Sequence, residues 1–118
     1  MMNVKQAKAL LQSYKLARSR ANSRLKRAEA WKEYVDKYGC GTEICAELIE
    51  EAREFLALEA DITSALDNAS IKESYRTFLS MRFIDQLEDA EICEKLYINK
   101  RWLYRLQVRA LQAFAESV

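Results

Sequence analysis

Histidine and proline are both absent from this 118-residue chain, and glycine occurs twice, at Gly39 and Gly41. Without histidine there is no imidazole to act as general base near neutrality, or to give zinc its usual nitrogen ligand. With so little glycine there is no loop to cradle phosphates. Cysteine occurs three times, as Cys40, Cys45 and Cys93. An odd number of thiols with no export signal points to reduced cysteines, and Cys40 and Cys45 lack the partners that would complete a tetrahedral zinc site. Neighbouring carboxylates such as Glu50 and Glu51 point apart on a helix, which suits solvation and not acid-base work. No enzyme is therefore expected, and no cofactor or metal. No apolar run approaches the roughly 18 residues that suggest a membrane span. The opening MMNVKQAKALL lacks the continuous apolar stretch and small-residue cleavage site of a signal peptide. The expected location is cytoplasmic, with no membrane partner.

Half of the residues are hydrophobic and 31% are charged, the composition of a globular chain. A chain this long fits one domain, or one small module with an appendage. With breakers confined to one GCG stretch, long helices are the economical solution and the fold class is all-α. The net charge of +1 conceals a strong segregation. Residues 1–39 hold ten basic groups against Glu29, Glu33 and Asp36, a surplus of +7, and residues 40–67 hold eight acidic groups against Arg53 alone, a surplus of −7.

The basic segment reads as one long helix. Its apolar stripe is Ala7, Leu10, Tyr14, Ala17, Ala21, Ala28, Trp31, Val35 and Tyr38, at steps of three, four or seven. So many alanines suit close approach by another helix. Gly39 stands where a left-handed C-terminal cap belongs, and Thr42 can cap a second helix from about Glu43 to Asn68. There Ile44, Leu48, Ala52, Phe55, Ile62, Leu66 and Ala69 face one way. The short connection predicts an antiparallel helical hairpin, basic against acidic, within one chain or across a dimer. That pairing is favoured over direct contact of the first helix with nucleic acid. The hairpin, residues 1–69, is expected to serve oligomerisation or partner binding, ahead of a second module at residues 70–118.

In that second module Ser70 and Glu73 have the spacing of a capping box, which starts a third helix whose apolar face is Tyr75, Phe78, Leu79 and Phe83 or Ile84. A short helix follows from Glu88 to Leu96, with Ile92, Cys93 and Leu96 inward. Tyr97, Ile98 and Asn99 turn the chain, and Asn99 caps a last helix from Lys100 to about Ser117. Two helices joined by a three-residue turn behind a supporting helix are the pattern of a helix-turn-helix. On the last helix Leu103, Leu106, Ala110 and Phe114 share one side. Arg101, Arg105, Val108, Arg109 and Gln112 take the opposite side, flanked by Trp102 and Tyr104. Guanidinium forks match guanine O6/N7 and phosphate, so this is a candidate DNA-reading surface. Arg101, Tyr104 and Arg105 are assigned to base edges, and Lys100, Trp102 and Arg109 to phosphate and sugar. Trp102 has a competing role in packing on Tyr97 or a partner helix. Arg76 and Arg82 can reach backbone phosphates, although a carboxylate such as Glu91 or Glu94 is the favoured partner for Arg82.

The stretch YRTFLSMRFIDQLEDAEICEKLYINKRWLYRLQVRAL resembles the C-terminal helix-turn-helix of sigma-factor region 4. It is closer to the RinA/ArpU-like phage transcriptional regulators, in which a variable helical half leads into an "L-RYI" segment, here Leu79-Ser80-Met81-Arg82-Phe83-Ile84. The same family ends in "VYRLH--AL", here Leu103 to Leu111 with Gln107 in place of the histidine. Gln86 and Tyr97 stand where glycine is common, and Glu88 where Ser or Thr often caps. The resemblance implies a phage- or prophage-encoded regulator, an activator of late, packaging or lysis genes, which binds double-stranded DNA, as a homodimer or alone, and works with RNA polymerase in a bacterial host cell. Two other classes stay open: a small terminase-like DNA-packaging subunit, and a helical adaptor that does not bind DNA.

Overall fold

In the computed structural model, which describes residues 2–118, every regular element is helical. The elements are α1 (Val4–Tyr38), α2 (Thr42–Asn68), α3 (Glu73–Leu79) continued by a π turn (Ser80–Ile84), α4 (Asp89–Leu96) and α5 (Lys100–Ser117). None of these helices is long and apolar enough to cross a membrane. By contact the chain forms two compact units: the described part of Met1–Lys15 together with Asp61–Val118, and Leu16–Ala60. The division at residue 69 follows charge and role and is drawn on a different basis.

In the unit Leu16–Ala60, Arg24 reaches Glu51 at 3.0 Å, Cys45 Sγ donates to the Ala28 carbonyl at 3.2 Å, and Gly41 lies against the Trp31 ring. Partner numbers fall as α1 rises, so the two helix segments run antiparallel. Alanine makes the approach close: Ala17, Ala21, Ala28 and Ala52 are all buried. The inward stripe differs from expectation at two points. Ile44 is exposed and Cys45 takes the inward position, because a side chain that reaches the Ala28 carbonyl must be short. Tyr38, at the end of α1, is exposed too. Gly39 adopts φ +71 and its amide bonds the Val35 carbonyl at 2.7 Å, the left-handed cap its position implied. Thr42 is the first residue of α2, and the Gly41 carbonyl accepts from Cys45 N at 3.2 Å.

The larger unit has one core. Ala7, Leu11 and Tyr14 from α1 and Ile62 and Leu66 from α2 pack with Phe78, Leu79, Ile92, Leu103, Ala110, Leu111 and Phe114. Leu11, Leu111 and Ala115 lie outside the predicted stripes but are buried. The capping box at Ser70 does not form: α3 starts at Glu73 behind Lys72, with no side-chain cap. The glutamate that should reach back is held by Arg76 at 2.5 Å. Arg76 Nε also donates to the Leu66 carbonyl at 3.3 Å and Nη2 to that of Ala69, so its guanidinium closes the C-terminus of α2 and is not free for a phosphate. Past α3 the chain widens by one residue per turn, with Asp85 N bonding Ser80 O at 2.8 Å. Gln86 then turns it at φ 57. Arg82 pairs with Asp89, at the start of α4, and not with Glu91 or Glu94.

Candidate nucleic-acid interface

The approach to α5 is built from backbone chemistry. Tyr97 takes a left-handed conformation, φ 55 and ψ 44, and Ile98 N bonds back to the Cys93 carbonyl at 3.0 Å. That six-to-one bond is a Schellman turn, completed by Ile98 and Cys93 packing on the core. Non-glycine residues pay about 1 kcal/mol for this conformation. Tyr97 nevertheless points into solvent, 95% exposed. Asn99 follows with extended backbone, and its Oδ1 accepts from Trp102 N at 2.9 Å, the N-cap expected of it.

Burial of Leu103, Ala110, Leu111, Phe114 and Ala115 fixes the rotation of α5. Lys100, Arg101, Tyr104, Arg105, Val108, Arg109 and Gln112 are consequently all exposed, and so is Trp102. From Lys100 to Ala115 the helix carries four cations and no carboxylate. Lys100, Arg101 and Arg109 make no ion pair among the described residues. Arg105 stacks instead, its guanidinium carbon 5.5 Å from the centroid of the Trp102 ring. Of the two roles open to Trp102, the structure adds a third: it carries Arg105 and leaves Tyr97 uncovered. Stacking holds the planar fork and leaves its edge free to donate.

Behind this face, α4 is braced by the Arg82–Asp89 pair, whose side chains are each only 26% exposed. Lys100 borders a depression that Arg82, Glu88, Asp89 and Ala90 also line, at the start of α4. A second depression, about 320 Å³, lies on the outward side of α5 between Tyr104, Arg105, Val108 and Arg109. Val108 carries no charge or hydrogen-bonding group by which the sequence would mark it, although the helical spacing puts it outward. The signal available was its spacing, since 101, 104, 105 and 108 follow an i, i+3, i+4, i+7 pattern.

Cys40 is exposed in the turn between α1 and α2, while Cys93 is half-buried against the core. Among the described residues no three His, Cys, Asp or Glu side chains converge on a point. No protein-family model, curated protein or solved structure matches this chain.

Proposed function

We propose that this protein is a sequence-specific DNA-binding regulator of transcription, with α4 and α5 acting as a helix-turn-helix and α5 as the helix that enters the major groove. One observation carries the reading: a capped helix, anchored from behind by leucine and phenylalanine, presents four outward cations and no carboxylate from Lys100 to Ala115, and none of the four makes an ion pair among the described residues. A purely solvated face would ordinarily mix both signs along the helix. Arg101, Tyr104 and Arg105 then meet base edges, and Lys100, Trp102 and Arg109 the phosphate and sugar. The phage-regulator role, and cooperation with RNA polymerase, rest on the resemblance of residues 71–114 to the RinA/ArpU-like family.

A second copy of the chain is the proposed protein partner, with the helical hairpin serving assembly. Ala46, Ile49, Arg53, Leu56 and Ala60 recur at steps of three and four along α2, and all are exposed. Arg53 sits at the middle of this stripe, 3.7 Å from Glu50. A ring-forming packaging subunit would use the same stripe, and the mass of the DNA complex separates the two: two copies for a regulator, many for a ring.

Selection of bound duplexes from a random pool tests the reading directly. A recurrent sequence bound with a salt slope of about −2, from Lys100 and Arg109 on phosphates, is expected. Replacing Arg101 and Arg105 together by alanine should abolish the preference and leave the helical circular dichroism unchanged. Equal affinity of wild-type and doubly substituted protein for the selected duplex overturns the assignment.

A further inference from the structure

We infer that Val108 reads the C5-methyl group of a thymine, which makes the depression between Tyr104, Arg105, Val108 and Arg109 a base-specific subsite. The inference rests on the DNA reading above and sharpens it. Val108 is 58% exposed in the middle of α5, on a face where every other side chain carries a polar or charged group. A β-branched apolar residue there works against helix propensity and gains nothing from the core. The depression around it is about 320 Å³ and almost wholly apolar in surface although two arginines wall it, and the Arg105 guanidinium is turned onto the Trp102 ring.

Such a site rejects a polar base edge and accepts a methyl. In the major groove the thymine methyl is the one large apolar group, and A·T and T·A display it at different places, so an apolar socket held over one strand selects T·A over the other three. Both walls are cationic, which suits a groove lined by phosphates on each side.

The spacing supports the assignment. Arg101, Tyr104, Arg105 and Val108 present the same i, i+3, i+4, i+7 set of positions that homeodomain recognition helices use to meet base edges. Seven residues of helix rise about 10 Å, close to three base-pair steps. The thymine therefore lies about three base pairs from the base met by Arg101, toward the side on which the C-terminal end of α5 leaves the groove.

The experiment replaces the thymines of the selected duplex by deoxyuridine one at a time, which removes a methyl and preserves the base pair. One position should weaken wild-type binding about fourfold, the effect of one methyl-sized apolar contact. Val108→Ala should bind the thymine duplex about fourfold less well and lose its sensitivity to deoxyuridine at that position alone. Since Val108 is exposed, the variant folds as the wild type does, which circular dichroism checks. Sequence-specific binding with no deoxyuridine effect overturns the Val108 assignment and spares the DNA reading, as does a Val108→Ala protein that senses every methyl as before. Failure of the wild type to prefer any duplex overturns both.

Discussion

The guanidinium of Arg105 lies over the indole of Trp102, three residues earlier on the same helix, at 5.5 Å from the ring centroid. A long flexible side chain is thereby held before any partner arrives, which lowers the ordering cost of contact. Trp102→Ala should leave stability within about 0.5 kcal/mol, because the ring is exposed, yet weaken DNA binding several-fold through faster dissociation. Arg105→Ala should cost about 1–3 kcal/mol at one base position. Stopped-flow dissociation from the selected duplex, run as a cycle with Arg105→Ala, separates these effects: the part of the Trp102→Ala effect that vanishes without Arg105 belongs to the stack, and the rest to Trp102's own contact with sugar and phosphate. Equal dissociation rates for wild type and Trp102→Ala would show that the stack does not preorganise the fork.

Gly41 and Gly39 flank Cys40 in one turn, but they differ in what a side chain would meet. A Cβ on Gly41 comes within 3.0 Å of Trp31 Cε3 at φ +96, whereas one on Gly39 meets nothing within 4 Å at φ +71. Gly39→Ala should cost about 1 kcal/mol in backbone strain alone. Gly41→Ala adds overpacking against an indole and should cost about 2–4 kcal/mol. Urea unfolding of the two variants gives the ordering; equal losses would mean that the Trp31 contact yields freely.

Features written in local chemistry were legible in the sequence. Gly39 announces its left-handed cap, Asn99 its bond to the Trp102 amide, and the spacing of Leu103, Leu106, Ala110 and Phe114 dictates which side chains of α5 face outward. Features decided by tertiary competition were not. The Ser70–Glu73 pattern is a sound capping box until Arg76 claims the glutamate and two carbonyls. Ile44 and Cys45 fit the inward stripe almost equally well, and interhelical distance chooses between them. A π turn such as Ser80–Ile84 needs no breaker residue, so nothing in the string marks it.

Arg76 illustrates how a cation can be structural. One planar group donates to Leu66 and Ala69 at the end of α2 and pairs with Glu73. Arg76→Ala should destabilise the protein by about 2–3 kcal/mol, because carbonyls at a partly buried helix end lose their donor. Arg76→Lys should recover little of this, since a single ammonium cannot span three acceptors in a fixed fork. DNA affinity, measured where both variants stay folded, should not change.

Tyr97 holds a left-handed conformation with its ring in solvent, so the strain is borne by the turn's backbone bond and the packing of Ile98 and the tyrosine side chain itself contributes nothing toward it. Tyr97→Gly relieves about 1 kcal/mol of steric cost and gives part of it back in unfolded-state entropy, and Tm should rise by about 2–5 °C. A residue kept against its conformational preference beside the capped start of α5 is expected to act elsewhere, and the proposed DNA surface lies beside it. Tyr97→Gly should therefore raise stability and lower affinity for the selected duplex together. Thermal unfolding and binding measured on the same preparation check this pairing: a gain in stability with unchanged affinity would assign the tyrosine no part in DNA contact, and a loss of stability would mean that the ring packs in solution.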